Sequence, residues 1–594
     1  MEEGTKLEYN SVRSCKIKGK GGFRASSFIY GFVGLDNIGF VANMVSMVLY
    51  LSFKMHFDLS GSANTVTNLL GSTYLLSIIG GFISDTYLSR FHTILIFGTV
   101  EIIAWTLMTI QARYSSLQPQ VCDKSNCLEG GIALLFYGSL CLLALGTGGV
   151  RGALPALGAD QFEHKDPKLG RYFNWLLLSS VSGSAIGVTI IVWVSTNKGW
   201  WMGFLISLVG TFLGFVIFLF GKPFYRLQLP AQSPLTRILQ VISVAIRNRK
   251  VQLPDNPDQL YEINEKQPDS SEPKIAHTDQ FRCLDKAAVV PKTMEPTAWR
   301  VCTVTKVEEV KIVTRMLPII GSTIIMNTSL AQLQTFSVQQ GYRMNRHFGS
   351  FEVPAPSVPV IPLLFMCVLI PIYDFLFVPF ARKITNQPSG ITQLQRVGVG
   401  LVLSIISMAI AALVEVKRKN QSLKNPLEPI HVFWLSFQYA IFGIADMFTL
   451  VGMLEFFYKE APAGMRSLST SFTWISLSFG YFLSSAFVAI INSVTKRVSP
   501  SKKGWLDGQD LDHNNLQLFY WFLAILSCLN FINYLYWASW YKYKSSDDDN
   551  LNTNSKSGHD NNIVLPKSAS VSRVPFLKAN KNEGSSTQET EETN

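Results

Sequence analysis

Six carboxylates and one arginine stand inside otherwise apolar runs of this sequence: Asp36, Glu101, Asp374, Glu415, Asp446, Glu455 and Arg151. Such groups move protons, hold anions or pair with one another. At membrane depth each costs several kcal/mol, so each marks a function by default. Arg151 lies in "LLALGTGGVRGALPALGADQF" (142–162), with no charge before it back to Glu129 and none after it until Asp160. Two readings are open. Either the span ends there and the guanidinium snorkels to the interface, or it is held inside, facing a carboxylate. Gly146, Gly148, Gly149 and Gly152 permit close helix approach and favour the second. Asp446 and Glu455 are nine residues apart, which puts them on opposite faces of a helix. Only one of them is expected to face a central cavity.

The same residue types exclude several chemistries. The eight histidines are scattered without a cluster, which argues against a membrane metal site. "GTGGV" lacks the lysine and the serine or threonine of a phosphate-binding loop. No cofactor and no enzymatic activity are expected, because internal carboxylates serve proton-linked transport as readily as acid–base catalysis. Cys122 and Cys127 share one short polar loop, where they bridge if it faces an oxidising side and otherwise stay two free thiols.

The elements that must position these groups are helices. Hydrophobic residues make up 48% of the 594 and charged residues only 16%, against about a quarter charged in soluble domains. Apolar stretches long enough to span a bilayer recur near 26–52, 64–84, 93–112, 131–156, 172–195, 200–220, 311–338, 357–380, 394–415, 431–457, 467–492 and 515–541. The expectation is an all-α membrane protein with twelve transmembrane helices in two six-helix bundles, 26–220 and 311–541. A basic N-terminus (1–25) precedes them, a linker (221–310) joins them, and a disordered tail (542–594) follows.

Lys6, Arg13, Lys16, Lys18, Lys20 and Arg24 crowd the segment before the first span, the mark of a cytoplasmic end. Both termini are then cytoplasmic. The net charge of +11 belongs to this topology and not to nucleic acid. Lys417, Arg418, Lys419 and Lys424 after the ninth span, and Lys496, Arg497, Lys502 and Lys503 after the eleventh, run against the rule. Asn420-Gln421-Ser422 would be an outward glycosylation acceptor. In the linker, 233–250 is expected to form a helix capped by Ser233. Its apolar face is Leu235, Ile238, Leu239, Ile242, Ala245 and Ile246, and it lies on the inner leaflet or packs beneath the bundle.

Several stretches carry a resemblance: "GGFISDTYLSRF" (80–91), "ALGTGGVRGALPALGADQF" (144–162), "LAQLQTFSVQQ" (330–340), "PIYDFLFVPFARKITNQPSGITQLQRVGVGL" (371–401) and "LEFFYKEAPAGMRSLSTSFTWISLSFGYFLS" (454–484). They resemble the plant nitrate/peptide transporter family (NPF), a proton-coupled oligopeptide transporter branch of the major facilitator superfamily. The chain is most similar to its fourth subfamily, whose described substrates include abscisic acid, gibberellin and, for some members, nitrate. The resemblance implies two halves rocking about a central site. Gly81, Asp85 and Arg90 match an inter-helix latch. Arg151 matches a usual lysine, whose carboxylate partner is matched here to Glu455. Asp446 is then a structural group on the other face.

The departures shape the function. The family's Glu-x-x-Glu-Arg/Lys proton-coupling motif is replaced by Val33, Gly34, Leu35, Asp36 and Asn37. Proton coupling would rest on Asp36 and Glu455, unless Asp36 only hydrogen-bonds a neighbouring helix. Leu330 stands where one branch has a nitrate-binding histidine and offers an anion no donor. Ser180 and Val181 replace the Ile-Asn of peptide-transporting relatives.

A small organic anion with a carboxylate and a hydrophobic body, abscisic acid or gibberellin, is therefore the expected substrate. A low-affinity nitrate transporter and a non-transporting sensor are the alternatives. The expected partners are this anion, protons and the lipid bilayer, in a monomer or weak dimer of the plasma membrane, with the vacuolar membrane as the alternative. Thr93, three residues after Arg90, matches a basic-directed phosphorylation site.

Overall fold

The computed structural model describes residues 21–543 apart from 58, 121–127, 164–167, 229–233, 255, 257–258, 263–274, 291–298, 349–350, 353–356, 386–389, 499–503, 507–510 and 513. Twelve of its helices are long and apolar enough to cross a membrane. The first six are Gly22–Lys54, Leu59–Thr86, Arg90–Arg113, Gly130–Ala159, Lys168–Asn197 and Trp200–Phe220. The second six are Val304–Tyr342, Val360–Thr385, Gln393–Lys424, Leu435–Glu460, Arg466–Val498 and Leu516–Trp540. Helix is what hydrocarbon demands, because a lipid-facing backbone finds partners only within its own segment. Polar side chains inside the spans obey the same rule: Thr73, Thr99 and Thr109 return their hydroxyls to Leu69, Leu95 and Trp105 one turn back. The spans run alternately up and down. Even-numbered spans finish, and odd-numbered spans begin, at the end that carries the linker, called the linker end below.

One core gathers Ile29, Phe91, Phe173 and Phe218 in the first half, and another gathers Met316, Met408, Phe456 and Phe519 in the second. The glycines of the fourth span set its spacing. A Cβ on Gly146 would come within 2.6 Å of the Glu101 backbone nitrogen, and one on Gly148 within 2.5 Å of the Thr73 carbonyl. The second and third helices therefore touch the fourth at backbone distance, as small residues allow in membranes. The eighth span is not uniform. A π turn, Tyr373–Phe377, follows Pro371 and carries Asp374 into the protein, the kind of irregularity that accompanies functional sites.

The linker helix spans Pro234–Arg247; Ser233, its expected cap, lies outside the described residues. The apolar positions divide over two faces. Val241, Val244 and Ala245 pack on Ala287, Ala288, Cys302, Val307 and Val310, and Arg237 pairs with Glu309 at 3.0 Å. Leu235, Leu239, Ile242 and Ile246 are exposed. Beside this core Lys311 is buried between Asp285 at 2.6 Å and Glu308 at 2.7 Å, fixing the linker to the start of the seventh span.

Three of the four cations that break the charge rule after the ninth span have partners within the protein. Arg418 is buried against Glu415 at 2.8 Å and Asp512 at 2.5 Å. Lys419 Nζ donates to the Asn514 carbonyl at 2.7 Å, and Lys417 lies over the Trp434 ring at 3.4 Å. A cation spent on folded partners is not free to set orientation.

Candidate substrate site

Arg151 is neither at a helix end nor free. It lies well inside the fourth span, half-buried, on the seam between the halves. Pro155 stands one turn later and has no N–H for the Arg151 carbonyl, which loosens the helix where the guanidinium leaves it. Three rings frame that guanidinium: Phe40 of the first span at 4.4 Å, Tyr74 of the second at 5.6 Å and Trp474 of the eleventh at 5.5 Å. Tyr74 stacks on Trp474 and on Tyr481, so both halves contribute to one aromatic wall. Nη2 reaches Asn37 Oδ1 at 3.4 Å. Nε is buried and meets no acceptor among the described residues.

Rings occupy the faces of a guanidinium and leave its in-plane N–H edges for a planar, bidentate acceptor such as a carboxylate. Leu330, half-buried, packs against the cores of both halves and adds apolar surface to the same seam.

Behind Arg151 stand Asp36 and Glu101, both buried and both within electrostatic reach of its charge. Thr211 donates to Asp36 Oδ1 at 3.1 Å, and Thr147 donates to Glu101 Oε1 at 2.6 Å. Glu101 was legible as a charge interrupting the third span, but nothing in the sequence placed it beside Asp36. That depends on the close approach at Gly146.

The expected pairing of Arg151 with Glu455 is corrected by the geometry. Glu455 sits in the last turns of the tenth span, near the linker end. It accepts from Lys459 at 2.6 Å and from Gln393 at 3.0 Å, and faces Arg396 at 3.9 Å. The residue of the tenth span that shares Arg151's surroundings is Asp446, read from sequence as a structural group. Tyr74 and Tyr481 each lie within electrostatic reach of both Arg151 and Asp446. Glu455 also meets the first half, where a Cβ on Gly170 of the fifth span would lie 3.1 Å from its Oε1, so the two carboxylates differ in their position along the seam.

Glu455 belongs instead to a set of polar contacts that joins the halves at the linker end. Arg90 pairs with Asp85 at 3.0 Å and with Asp160, and its Nε donates to Ser467 at 2.6 Å across the seam. Asp85 Oδ2 accepts the Leu468 N–H at 2.9 Å. Gly81 fits against Ser467 and Ser471, where a Cβ would come within 2.8 Å of the Ser467 carbonyl oxygen. Asp160 also accepts from Tyr458 at 2.7 Å. A second group forms round the π turn: Asp374 pairs with Arg171 at 2.9 Å and accepts from Asn174 at 3.2 Å. Arg396 donates to Asn174 Oδ1 at 2.8 Å. The latch predicted from Gly81, Asp85 and Arg90 therefore ties the halves as well as neighbouring helices. Asp160, Asp374, Arg396 and Tyr458, which complete it, were not singled out for this role by the sequence.

The profile described as the POT family matches residues 91–506, more than half of the chain. This chain belongs to the POT family. Among its relatives in Arabidopsis thaliana, Protein NRT1/PTR FAMILY 4.5 is 44% identical over 544 residues, covering 89% of this chain and 94% of that one. Protein NRT1/PTR FAMILY 4.6 is 42% identical over 570 residues, covering 89% and 96%. The solved structure of the POT family transporter PepTSo superposes with a TM-score of 0.61 at 17% identity, covering 87% of this chain and 97% of that one. A POT family transporter in complex with 5-aminolevulinic acid gives 0.58 at 13%, covering 87% and 97%. The fold is that of the major facilitator superfamily, and this POT chain is an integral multi-pass membrane transporter, not an enzyme.

Two expectations for this POT chain are corrected. Thr93 is fully buried in the first turn of the third span, its hydroxyl donating to the Ser89 carbonyl at 3.2 Å, so no kinase reaches it. Asn420 is exposed but helical, and Ser422 of its triplet donates to Asp512 at 2.8 Å. The extended loop expected of a glycosylation acceptor is absent there. Cys122 and Cys127 lie outside the described residues.

Proposed function

We propose that this transporter imports a small organic anion, abscisic acid or a gibberellin, across the plasma membrane by alternating access, with the linker end in the cytoplasm. The observation that carries this reading is the guanidinium of Arg151, framed by Phe40, Tyr74 and Trp474, with its Nε–H left without an acceptor among the described residues. A carboxylate supplies the missing acceptor through two parallel hydrogen bonds. The hydrophobic body of the ligand buries against the aromatic wall and Leu330, gaining roughly 25 cal/mol per Å² removed from water. Nitrate has no apolar surface to bury and meets at Leu330 a side chain without a donor.

In the cycle, the anion enters from the end opposite the linker while the latch of Asp85, Arg90, Asp160 and Ser467 holds the cytoplasmic side shut. Asp446 stands across the seam, near the same tyrosines as Arg151. Closure over the ligand then strains the latch open. Uptake of radiolabelled abscisic acid and gibberellin by oocytes or yeast expressing the full chain tests this. Arg151→Ala is expected to abolish uptake while leaving the protein at the membrane, and uptake unchanged by that substitution contradicts the reading. Addition of excess nitrate is expected to leave uptake of the hormone untouched.

A further inference from the structure

We propose that Asp36 and Glu101 together form the proton-binding site of this transporter, holding one proton between them and taking up a second when an anion occupies Arg151. The inference deepens the function proposed above and rests on it for the identity of the anion.

The two carboxyls come from different helices, the first and third spans, and lie within hydrogen-bonding range of one another. Glu101 is fully buried and Asp36 nearly so, at 0% and 6% exposure. The donors around them are too few for two anions. Thr147 serves Glu101 Oε1, Thr211 serves Asp36 Oδ1, and Glu101 Oε2 is buried with no donor among the described residues. Two bare carboxylates at this range repel, and neither can donate. One proton between them replaces that repulsion with a hydrogen bond and leaves a single negative charge. The fourth span contributes the cation that balances it, Arg151. Asn37 beside Asp36 binds the same guanidinium, and Thr211 from the sixth span carries no charge. On the far side of Arg151 stand Tyr74 and Asp446.

Charge balance then links anion to proton. With the site empty, Arg151 contributes one positive charge and the singly protonated pair one negative charge. A bound carboxylate adds a second negative charge in a medium where uncompensated charge is costly. One further proton on the pair removes it. The proton enters with the anion from the side to which the seam is open and leaves with it on the other. The lost Glu-x-x-Glu-Arg/Lys pattern is thus replaced by a pair split between two helices, which no motif on one helix could reveal.

The test measures proton uptake on ligand binding by the full-length protein in weakly buffered detergent solution, with abscisic acid as the probe. Wild type is expected to take up about one proton per anion bound. Glu101→Gln and Asp36→Asn each leave one carboxylate, whose single negative charge still balances Arg151, so each single variant is expected to keep the uptake. The double variant Asp36→Asn/Glu101→Gln has no carboxyl left to protonate and is expected to bind the anion and take up none. Proton uptake unchanged in the double variant overturns the proposal. So does uptake lost in Asp446→Asn and kept in the double variant, because it moves the proton site across the seam; where the double variant does not fold, the infrared comparison of the single variants below decides.

If wild type binds no abscisic acid, the proposed function fails, and infrared spectra of the ligand-free protein at neutral pH still decide the pair. A protonated carboxyl C=O band that disappears in Glu101→Gln supports the site. A spectrum without such a band, or with one indifferent to both substitutions, overturns it.

Discussion

Arg151 has an aromatic cage and a buried Nε–H that meets no acceptor among the described residues, and its neighbours say what each atom is for. Arg151→Lys keeps the charge but loses the planar fork, and an ammonium cannot be matched edge-on to a carboxylate. Competition binding is expected to show an affinity for abscisic acid lower by about 10-fold, equivalent to one charge-assisted hydrogen bond. Leu330→His places a donor on a seam that has an apolar side chain there. Nitrate, inert against hormone uptake in wild type, is then expected to inhibit it; continued indifference to nitrate would remove Leu330 from the selectivity account. The importance of Arg151 was readable from the sequence because a lone cation in an apolar run needs a reason. Which carboxylate of the tenth span lies near Arg151 was not readable. Both Asp446 and Glu455 meet the first half, at different positions along the seam, and helical phase carries no record of that position.

Helix packing explains why these side chains meet at all. Gly146 lets the third span approach the fourth where Glu101 sits, with no room for a Cβ. Gly146→Val must push the helices apart, at a cost of about 1–3 kcal/mol for overpacking. It is expected to lower the unfolding temperature, which a thermal-shift assay on the purified protein reads directly. The linker core supplies an independent check. Burial pushes the Cys302 thiol up to about 11, so at pH 8 the nucleophilic thiolate is scarce. Maleimide is expected to label the exposed Cys283 first and Cys302 only after denaturation. Equal rates would mean that the core around Val241, Ala288 and Val307 opens readily. Twelve apolar runs announced twelve spans, because hydrocarbon leaves the chain no other structure. The π turn at Tyr373 and the division of the linker helix into a packed and an exposed face depend on what lies opposite, and periodicity carries no record of that.

Across the whole molecule, the polar contacts between the halves that were traced above at Arg90, Asp160, Asp374 and Arg396 lie at the linker end, while the seam at Arg151 is lined by rings and leucine. This is the arrangement of a transporter closed toward its linker. Arg90→Ala leaves Asp85 and Asp160 without their main cation, and breaking a buried pair costs about 3–5 kcal/mol. The linker end is expected to open more often, read as faster labelling of a cysteine placed at Ser471; a rate unchanged from wild type would show that the latch does not hold that end. The two-half architecture and its latch were anticipated by the stretches around Gly81 and Arg151. The extension of the latch across the halves needed coordinates, because its partners are separated by hundreds of residues. The central claim is that Arg151 recognises a carboxylate. The direct measurement compares abscisic acid with its methyl ester as competitors for uptake, in wild type and in Arg151→Gln. The acid is expected to compete strongly and the ester weakly in wild type, with that distinction lost in the variant. An ester that competes as well as the acid in wild type would contradict the account.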